Sequence, residues 1–334
     1  MGGDGTWGRL DAGWRVAPNA AMRIVIMGAG ALGGYFGVRL AAAGNDVAFV
    51  ARGAHLAAIQ RQGLRVTSAR GDVHLRDVVA TQDPGTLGPA DMVLIGVKLW
   101  DLEAAAQAVK PLVRPGTAVV AFQNGVSKDD TLVRALGPEA VIGGVAQIGV
   151  VIAEPGVIAH TGTMAKLIFG ERDNARSLRV EAFQAACAAA GIDAEIAPDI
   201  RLATWEKFVF LVGMSAVTAS MRSRVGPIRA NAQARAFLAD LMREAVAVGQ
   251  AQGVNLPDDY VDRRMGFIDQ LPAEMTASMQ GDLARGNRLE VPWLSGAVVE
   301  MGQRLGIPTP LNRAVCAILA LYADGAPPGG APPG

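Results

Sequence analysis

The amino-acid sequence predicts an α/β protein in two parts: a parallel-sheet domain over residues 22–198 and an all-helical domain over residues 199–324. Up to residue 198, short apolar runs alternate with helical periodicity, as they do in βαβ units. From residue 199 onward the strand patterns end and long helical segments follow one another. The length of 334 residues is sufficient for two domains with separate hydrophobic cores.

The first strand-turn-helix unit carries the most specific signal. The apolar strand Ile24-Val25-Ile26-Met27 continues directly into Gly28-Ala29-Gly30-Ala31-Leu32-Gly33 and then into a helical pattern. In a Rossmann domain, Gly28 would allow the sharp turn, Gly30 would let a pyrophosphate approach the backbone, and Gly33 would let helix and strand pack closely. A glycine-rich surface turn can have the same letters, but the strand-turn-helix context favours dinucleotide binding, with phosphate at the helix N-terminus.

The end of the second strand, predicted over residues 46–50, indicates which dinucleotide is bound. NAD sites usually have Asp or Glu at this position, where it binds the ribose 2′-hydroxyl. Here the strand is followed by Arg52. Because a guanidinium can bind a 2′-phosphate through two hydrogen bonds, Arg52 favours NADP(H). The alternative is a solvated arginine that opens a loop.

The other elements of the sheet domain follow in chain order. We expect a helix over residues 54–62, paired strands over 64–80, a strand over 91–97 ending in Lys98, a helix over 100–112, a strand over 117–122 ending at Gln123-Asn124-Gly125, a strand over 141–148, a strand-turn-strand over 150–168 and a helix over 177–190. Lys98 therefore follows the carboxyl end of a buried parallel strand, which is where ligands bind in such sheets.

The helical domain contains three polar features of interest. Its helices are predicted over residues 201–222, 228–252, 258–270, 273–285, 294–305 and 312–323. Lys207 lies in a strongly apolar helix, where an unpaired ammonium is expensive to bury. Ser278 and Asp282 share a helix face, and Glu290 lies in a loop before Pro292. Considered singly, each has an ordinary explanation: a lysine whose ammonium reaches the surface, a serine without a special role and a charged loop glutamate.

Composition excludes several classes of function. Basic and acidic residues balance at 31 each, so no net charge favours nucleic acid or anionic membranes. The apolar run over residues 208–219 is shorter than the roughly twenty residues that span a bilayer. Cys187 and Cys316 lie in helical patterns and are predicted to be reduced core residues, without a metal-ligand cluster nearby. We expect a cytoplasmic protein.

Both ends of the chain are predicted to be disordered. Residues 1–21 lack the apolar segment of a signal peptide, and residues 325–334 contain only Ala, Pro and Gly. Met22 directly precedes the first strand, so Met1 and Met22 both remain candidates for the native start.

Six motifs taken together resemble the ketopantoate reductases (2-dehydropantoate 2-reductases) in order and spacing. They are residues 28–33, Gly96-Val97-Lys98, Phe122-Gln123-Asn124-Gly125, Trp205-Glu206-Lys207, Ser278-Met279-Gln280-Gly281-Asp282 and Glu290-Val291. The resemblance covers residues 22–322, and unrelated Rossmann proteins share only the first motif. It implies an NADPH-dependent reduction of a 2-oxo acid to a 2-hydroxy acid, in pantothenate biosynthesis. It also implies a substrate cleft between the domains and suggests a homodimer formed through the helical domain.

The resemblance assigns roles to individual residues. Lys207 matches the catalytic lysine, and Glu290 its partnering glutamate. Asn124 matches the asparagine that orients the substrate or the nicotinamide, and Ser278 the serine that contacts the substrate carboxylate. The cofactor-binding positions implied are the glycine turn, Arg52 and Lys98 at the 2′-phosphate, and Asn124 and Glu290. A cation beside the ketone oxygen lowers the barrier to hydride addition and can donate the proton, which is the role implied for Lys207.

The sequence departs from the family pattern on the lysine helix. The family usually has asparagines four and eight residues after the lysine, facing the substrate, whereas this chain has Leu211 and Ser215. Ketopantoate remains the leading substrate, and a paralogous reductase of another branched or more apolar 2-oxo acid is the alternative. A catalytically silent NADP(H)-binding sensor is a third interpretation, which the retained pair of Lys207 and Glu290 disfavours.

Overall fold

The computed structural model describes residue 14 and residues 20–326. The predictions of disorder for residues 1–21 and 325–334 therefore lie almost wholly outside the described residues.

The chain forms two compact units. Unit 1 extends to Gln123 and resumes over Ser127–Ala203, whereas unit 2 consists of Asn124–Val126 and the chain from Thr204 onward. The predicted fold class, a Rossmann-type α/β domain followed by a helical domain, is confirmed.

Unit 1 is built around one mixed sheet with helices packed on it. Its strands are β1 (Arg23–Met27), β2 (Asp46–Val50), β3 (Leu64–Thr67), β4 (Val73–Leu75), β5 (Val79–Thr81), β6 (Met92–Ile95), β7 (Ala118–Ala121), β8 (Val141–Glu154), β9 (Val157–Glu171) and β10 (Asp193–Ile196). Its helices are α1 (Ala31–Ala42), α2 (Gly53–Gln62), α3 (Leu102–Ala108), α4 (Lys128–Leu136) and α5 (Leu178–Ala189).

The order of the strands is that of a Rossmann sheet with an added antiparallel extension. Strands β5-β2-β1-β6-β7-β8 are adjacent and parallel, which is the dinucleotide-binding order once the β3–β4 hairpin is set aside. Strand β9 pairs antiparallel with β8, and β3 and β10 both pair with β9. The carboxyl ends of β1, β2, β6 and β7 consequently lie at one edge of the sheet.

Two strand predictions in unit 1 need correction. The strand pairing predicted over residues 64–80 is right for β3 and β4 but wrong for β5, because β5 pairs with β2 at the opposite edge of the sheet. The separate strands predicted at 141–148 and 150–168 are one long hairpin, in which β8 continues to Glu154 through two register shifts. Strand β10 was not predicted from the sequence.

A buried ion pair fixes α5 to the sheet of unit 1. Arg179 donates from Nε and Nη2 to the two carboxylate oxygens of Glu171, at 2.7 Å each, and both side chains are 2% exposed. Ser177 donates to the same carboxylate at 2.6 Å, and Arg179 Nη1 donates to the carbonyl of Glu139 at 2.7 Å. Because each charge is paired and hydrogen-bonded, the cost of desolvation is largely offset.

The regular elements that the structure describes in unit 2 are all helical. They are α6 (Ile200–Ser220), whose first residues count with unit 1, α7 (Val225–Ala230), α8 (Ala232–Ala251), α9 (Tyr260–Asp269), α10 (Ser278–Ala284), α11 (Ser295–Leu305) and α12 (Pro310–Leu319), with 3₁₀ turns at Val291–Trp293 and Ala320–Tyr322. Among the described residues α6 alone is long and apolar enough to cross a membrane by length and composition, and most of it is buried within the protein, as in a core helix.

Two helix predictions in unit 2 were wrong at their starts. The helix predicted over residues 228–252 breaks at Asn231, whose side chain accepts hydrogen bonds from the N–H groups of Gln233 and Ala234 and caps α8. The helix predicted over 273–285 begins only at Ser278. Residues 273 and 275 instead use their carbonyls to accept from the first N–H groups of α7.

Both cysteines are free thiols, and burial raises the pKa of each. Cys187 is fully buried and Cys316 is half-buried.

His160 is a structural hydrogen bonder, since its ring nitrogens contact the Ser68 hydroxyl at 2.8 Å and the Met164 carbonyl at 2.9 Å. Over residues 20–326 no cluster of three or more His, Cys, Asp or Glu side chains could hold a metal ion.

Candidate active site

The glycine turn between β1 and α1 has the geometry that its sequence predicts. Gly28 has φ +97°, and a Cβ there would lie 2.7 Å from the Val97 side chain. A Cβ on Gly33 would lie 2.2 Å from the Gly28 carbonyl oxygen, so no larger residue fits without displacing the turn. Around Gly30, in contrast, a Cβ would meet no described heavy atom within 4 Å. The backbone is therefore open to a ligand at Gly30 and closed at the other two glycines.

The backbone of the turn is fixed by the neighbouring strand. The N–H groups of Gly28 and Ala29 both donate to the carbonyl of Val50, at 3.1 and 2.8 Å. Helix α1 then begins at Ala31, and no described side chain caps it. Its first N–H groups, which include those of Ala31 and Leu32, have no carbonyl within the helix to bind, and they form the usual site for a phosphate.

Two cations lie on adjacent loops at the same edge of the sheet. Arg52 lies two residues after the end of β2, and its side chain is 65% exposed. Lys98 begins the 3₁₀ turn Leu99–Asp101 after β6, and its ammonium lies 5.5 Å from the centre of the Trp100 ring. The carboxylate of Asp101, at the end of that turn, is 3.6 Å from the Arg52 guanidinium. Asp101 stands at the start of α3, as expected for a helix N-terminal charge, and it also joins the Arg52 and Lys98 loops.

Asn124 and Glu290 are 166 positions apart in sequence and lie together in unit 2. The Asn124 side-chain amide donates to Oε2 of Glu290 at 3.2 Å. Glu290 is 5% exposed, and its backbone carbonyl accepts from the N–H groups of Trp293 and Leu294 at 3.0 and 3.1 Å. The backbone of Glu290 is thus held in a turn, and its carboxylate is oriented by the asparagine amide.

Lys207, Leu211 and Ser215 lie on one face of α6. The helix is unbroken from Ile200 to Ser220, so a four-residue spacing places these side chains above one another. Lys207 and Leu211 are half-buried, and Ser215 is buried. On other faces of the same helix, Trp205 and Phe208 pack edge to face, with ring centroids 5.3 Å apart, and both are buried.

Ser278 is a predicted site residue that the described hydrogen bonds do not connect to Asn124 or Glu290. It is the first residue of α10 and is exposed. None of the hydrogen bonds in the described part of the chain joins it to Asn124 or Glu290. On the same helix, Asp282 forms an ion pair with Arg285 at 2.9 Å.

A cavity of about 230 Å³ lies elsewhere on unit 2 and contains none of the predicted site residues. It is lined by Glu206, Tyr260, Arg263, Arg264 and Phe267. The Tyr260 hydroxyl donates to the Glu206 backbone carbonyl, and burial raises the pKa of Tyr260 to about 12. Glu206, which lines this cavity, is the residue before Lys207 in the sequence.

Gln123 is a candidate site residue that the sequence reasoning missed. It follows β7 at the ligand-binding edge of the sheet in unit 1. Both polar atoms of its side-chain amide are buried, and neither has a hydrogen-bond partner among the described residues. Leaving such atoms unsatisfied costs roughly 1–3 kcal/mol each, so a ligand that pairs with them would be stabilised. A polar residue directly after a buried strand was the available sequence signal.

Comparisons with known proteins agree over both units. The family model described as ketopantoate reductase PanE/ApbA matches residues 24–174, and the model for the C-terminal part of that family matches residues 199–323. A 2-dehydropantoate 2-reductase of Mesorhizobium japonicum is 34% identical over 323 residues, which cover 90% of this chain and 98% of the relative.

Solved structures extend the comparison to the fold. The crystal structure of a PanE/ApbA family ketopantoate reductase from Ralstonia eutropha JMP134 is 35% identical, with a TM-score of 0.82 over 90% of this chain and 98% of the other. A structure of D-mandelate dehydrogenase with NADH and anilino(oxo)acetate has a TM-score of 0.83, covering 90% of this chain and 98% of that one. At 19% identity, this second likeness establishes a shared fold only.

Proposed function

This chain belongs to the ketopantoate reductase family, and we propose that it reduces a 2-oxo acid to the corresponding 2-hydroxy acid with NADPH. It is an oxidoreductase. Ketopantoate is the leading substrate, because relatives that align over nearly their whole length are named 2-dehydropantoate 2-reductase. The roles given below to individual residues are part of the proposal.

The residues of unit 1 fit a nicotinamide dinucleotide phosphate. The open backbone at Gly30 and the start of α1 suit the pyrophosphate. Arg52 and Lys98 suit the 2′-phosphate, for which a fork of guanidinium donors and a point charge are complementary. The unpaired amide of Gln123 offers one donor and one acceptor, as the carboxamide of a nicotinamide also does.

The residues of unit 2 fit the other half of the reaction. Bound in unit 1, NADPH would supply a hydride for the ketone carbon of the 2-oxo acid. As negative charge develops on the ketone oxygen, the Lys207 ammonium stabilises it and transfers a proton from Nζ to that oxygen. The amine regains its proton from solvent. The Glu290 carboxylate favours the charged form of Lys207, and Asn124 orients Glu290.

The hydrogen bond between Asn124 and Glu290 is the observation on which this proposal most depends. Glu290 is nearly fully buried, and a buried carboxylate is expensive unless it is hydrogen-bonded or paired with a cation. The Asn124 amide supplies one such hydrogen bond, at 3.2 Å. The pairing supports a site in which a carboxylate is retained at low exposure for chemistry.

Leu211 supports a second candidate substrate. It occupies the helix face of Lys207, half-buried, one turn further along α6. An isobutyl group cannot bind the hydroxyl that distinguishes ketopantoate from simpler branched 2-oxo acids, and a site that lacks such a bond discriminates weakly. A branched 2-oxo acid with an apolar side chain is therefore the alternative.

A matched pair of substrates tests both parts of the proposal. Ketopantoate and trimethylpyruvate differ only in one hydroxyl, so the ratio of their kcat/KM values measures how strongly that hydroxyl is recognised. We expect oxidation of NADPH with at least one of them and faster turnover with NADPH than with NADH. No turnover with these or with a wider panel of 2-oxo acids would refute the proposed reaction. A ratio near one would favour the apolar substrate.

A further inference from the structure

His55 is a polar residue of unit 1 to which the family resemblance gives no role. It lies on the first turn of α2, three residues after Arg52, and is half-buried. Its Nε2 lies 2.8 Å from the carbonyl oxygen of Ala29, within the glycine turn. Its Nδ1 accepts a hydrogen bond from the backbone N–H of Gly156, at 3.1 Å. One imidazole therefore connects the glycine turn to the tip of the β8–β9 hairpin.

These two partners determine the state of the ring. A backbone N–H can only donate, so Nδ1 must carry a lone pair. A carbonyl can only accept, so Nε2 must carry the proton. Both hydrogen bonds exist together only in the neutral ring with the proton on Nε2.

The hydrogen bond to Ala29 determines where the next N–H points. In a planar trans peptide the C=O and N–H groups point in opposite directions. Because the Ala29 carbonyl is held toward His55, the N–H of Gly30 must point away from it. The Ala29 N–H is already fixed on the Val50 carbonyl at 2.8 Å, so the peptides on both sides of Ala29 are held. A Cβ on Gly30 would meet no described heavy atom within 4 Å, so the backbone is open at that residue.

The other end of the imidazole is also firmly held. Gly156 has φ +84°, a conformation that favours glycine, and its carbonyl accepts from the Arg65 N–H at 2.9 Å. A Cβ on Gly156 would approach the Ala58 side chain of α2 to 3.2 Å, so the hairpin tip packs closely on that helix. The ring thus lies between two fixed backbone segments and cannot turn without losing a hydrogen bond.

We propose that His55 is a positioning residue for the cofactor: its hydrogen bond to Ala29 presets the Gly30 N–H to bind the pyrophosphate. This inference rests on the proposed cofactor. It assigns to His55 an effect on cofactor affinity and none on the chemical step, since the imidazole contacts neither Lys207 nor Glu290 in the described hydrogen bonds. It also predicts that a ligand without a pyrophosphate is bound independently of His55.

Three variants and two ligands test this role. His55→Phe keeps a ring of similar size and removes both hydrogen bonds, whereas His55→Gln retains one donor and one acceptor. His74→Phe is the matched control, since His74 is exposed and the one hydrogen bond described for its side chain is to the Gln62 carbonyl at the far end of α2, at 2.8 Å. The ligands are NADPH and adenosine 2′-phosphate, which lacks the pyrophosphate. Dissociation constants are measured by calorimetry on the full chain, and kcat at saturating NADPH.

For His55→Phe we expect the dissociation constant of NADPH to rise about tenfold or more. This is the effect of losing one hydrogen bond to a charged group, here that of the Gly30 N–H to the pyrophosphate. Binding of adenosine 2′-phosphate and kcat at saturating NADPH should stay within about twofold, as independent contacts require. His55→Gln should recover most of the affinity, and His74→Phe should match the parent protein.

Each contrary outcome has a distinct meaning. If the parent protein does not bind NADPH, the proposed function fails. If the parent binds it and His55→Phe binds it equally well, only the role of His55 fails. Equal weakening of both ligands would also overturn that role, because it would indicate a general disturbance of unit 1. Should His55→Phe not fold, His55→Leu replaces it, and a failure of both to fold would assign the imidazole to stability instead.

Discussion

Replacing Arg52 with Ala tests the cofactor preference most directly. The guanidinium is 65% exposed, and its ionic contact with Asp101, at 3.6 Å, is longer than a hydrogen bond. Such an exposed pair contributes at most about 1 kcal/mol to stability. Arg52→Ala should therefore leave the fold intact, so that a change in cofactor binding can be attributed to the lost guanidinium.

The expected effect on affinity follows from the charge of the ligand. A hydrogen bond to a charged group contributes about 1.5–3 kcal/mol, which corresponds to a roughly 10- to 150-fold rise in the dissociation constant of NADPH. NADH has a hydroxyl in place of the 2′-phosphate and should lose less affinity, about two- to tenfold, which is the scale of a neutral hydrogen bond. The ratio of the two effects is therefore the measured quantity.

Titration calorimetry with NADPH and NADH on the full chain provides the assay. Arg61→Ala is the matched control, because Arg61 is an exposed arginine near the end of α2, nine residues beyond Arg52 at the N-cap of that helix. Equal losses of affinity for NADPH and NADH would refute the assignment of Arg52 to the 2′-phosphate. So would an unchanged affinity for NADPH. A loss in Arg61→Ala comparable to that in Arg52→Ala would point to net charge rather than to a specific contact.

Three other substitutions test the remaining parts of the site and the fold. Lys207→Met should lower kcat roughly 100- to 10,000-fold, the usual contribution of a general acid, while calorimetry finds NADPH affinity unchanged; a nearly active variant would refute its role. Leu211→Asn should shift the kcat/KM ratio toward ketopantoate over trimethylpyruvate by about tenfold, and no shift would remove Leu211 from the pocket. Arg179→Leu should lower the free energy of unfolding by about 3–5 kcal/mol, because Glu171 is left buried and unpaired. Chemical denaturation measures it, and a double variant that also carries Glu171→Gln should lose less.

The fold of unit 1 was largely predictable because its signals are local. The glycine turn, the apolar strands and the intervening helical patterns each occupy a few adjacent residues. The placement of β5 was not predictable in this way. Only three residues separate β4 from β5, yet the two strands lie at opposite edges of the sheet. Which edge a short strand joins depends on long-range pairing, which a local pattern does not contain.

The two errors in unit 2 have different causes. Asn231 is a typical helix N-cap followed by Ala-Gln-Ala, so the break between α7 and α8 had a local signal that the continuing apolar periodicity obscured. The late start of α10 had none. The carbonyls of Ala273 and Met275 accept hydrogen bonds from the N–H groups of Gly226 and Val225, respectively, about fifty positions away in the sequence. This long-range pairing overrides helical propensity.

The candidate site was predictable to the extent that its residues carry chemistry in recognisable motifs. Arg52 and Lys98 were singled out because each follows a strand, and Asn124 because its motif resembles that of the family. The hydrogen bond between Asn124 and Glu290 connects two of the predicted residues directly. His55 and Gln123 were missed for a physical reason. Their significance lies in which backbone atoms they contact, or fail to contact, and a single sequence does not specify such contacts.

The strand order of unit 1 gives the proposed cofactor a direction. Arg52 follows β2, the glycine turn follows β1, and Gln123 follows β7, in the spatial order β2-β1-β6-β7. With neighbouring strands about 4.8 Å apart, the strand ends that carry Arg52 and the unpaired amide of Gln123 are three strand spacings, or about 14 Å, from each other. The phosphate-binding turn lies between them. A ligand that contacts Arg52, the glycine turn and Gln123 together must be extended. It must carry a doubly charged group at the β2 end, phosphates in the middle and a group complementary to an amide at the β7 end. NADPH meets each of these requirements, and NADH lacks the first.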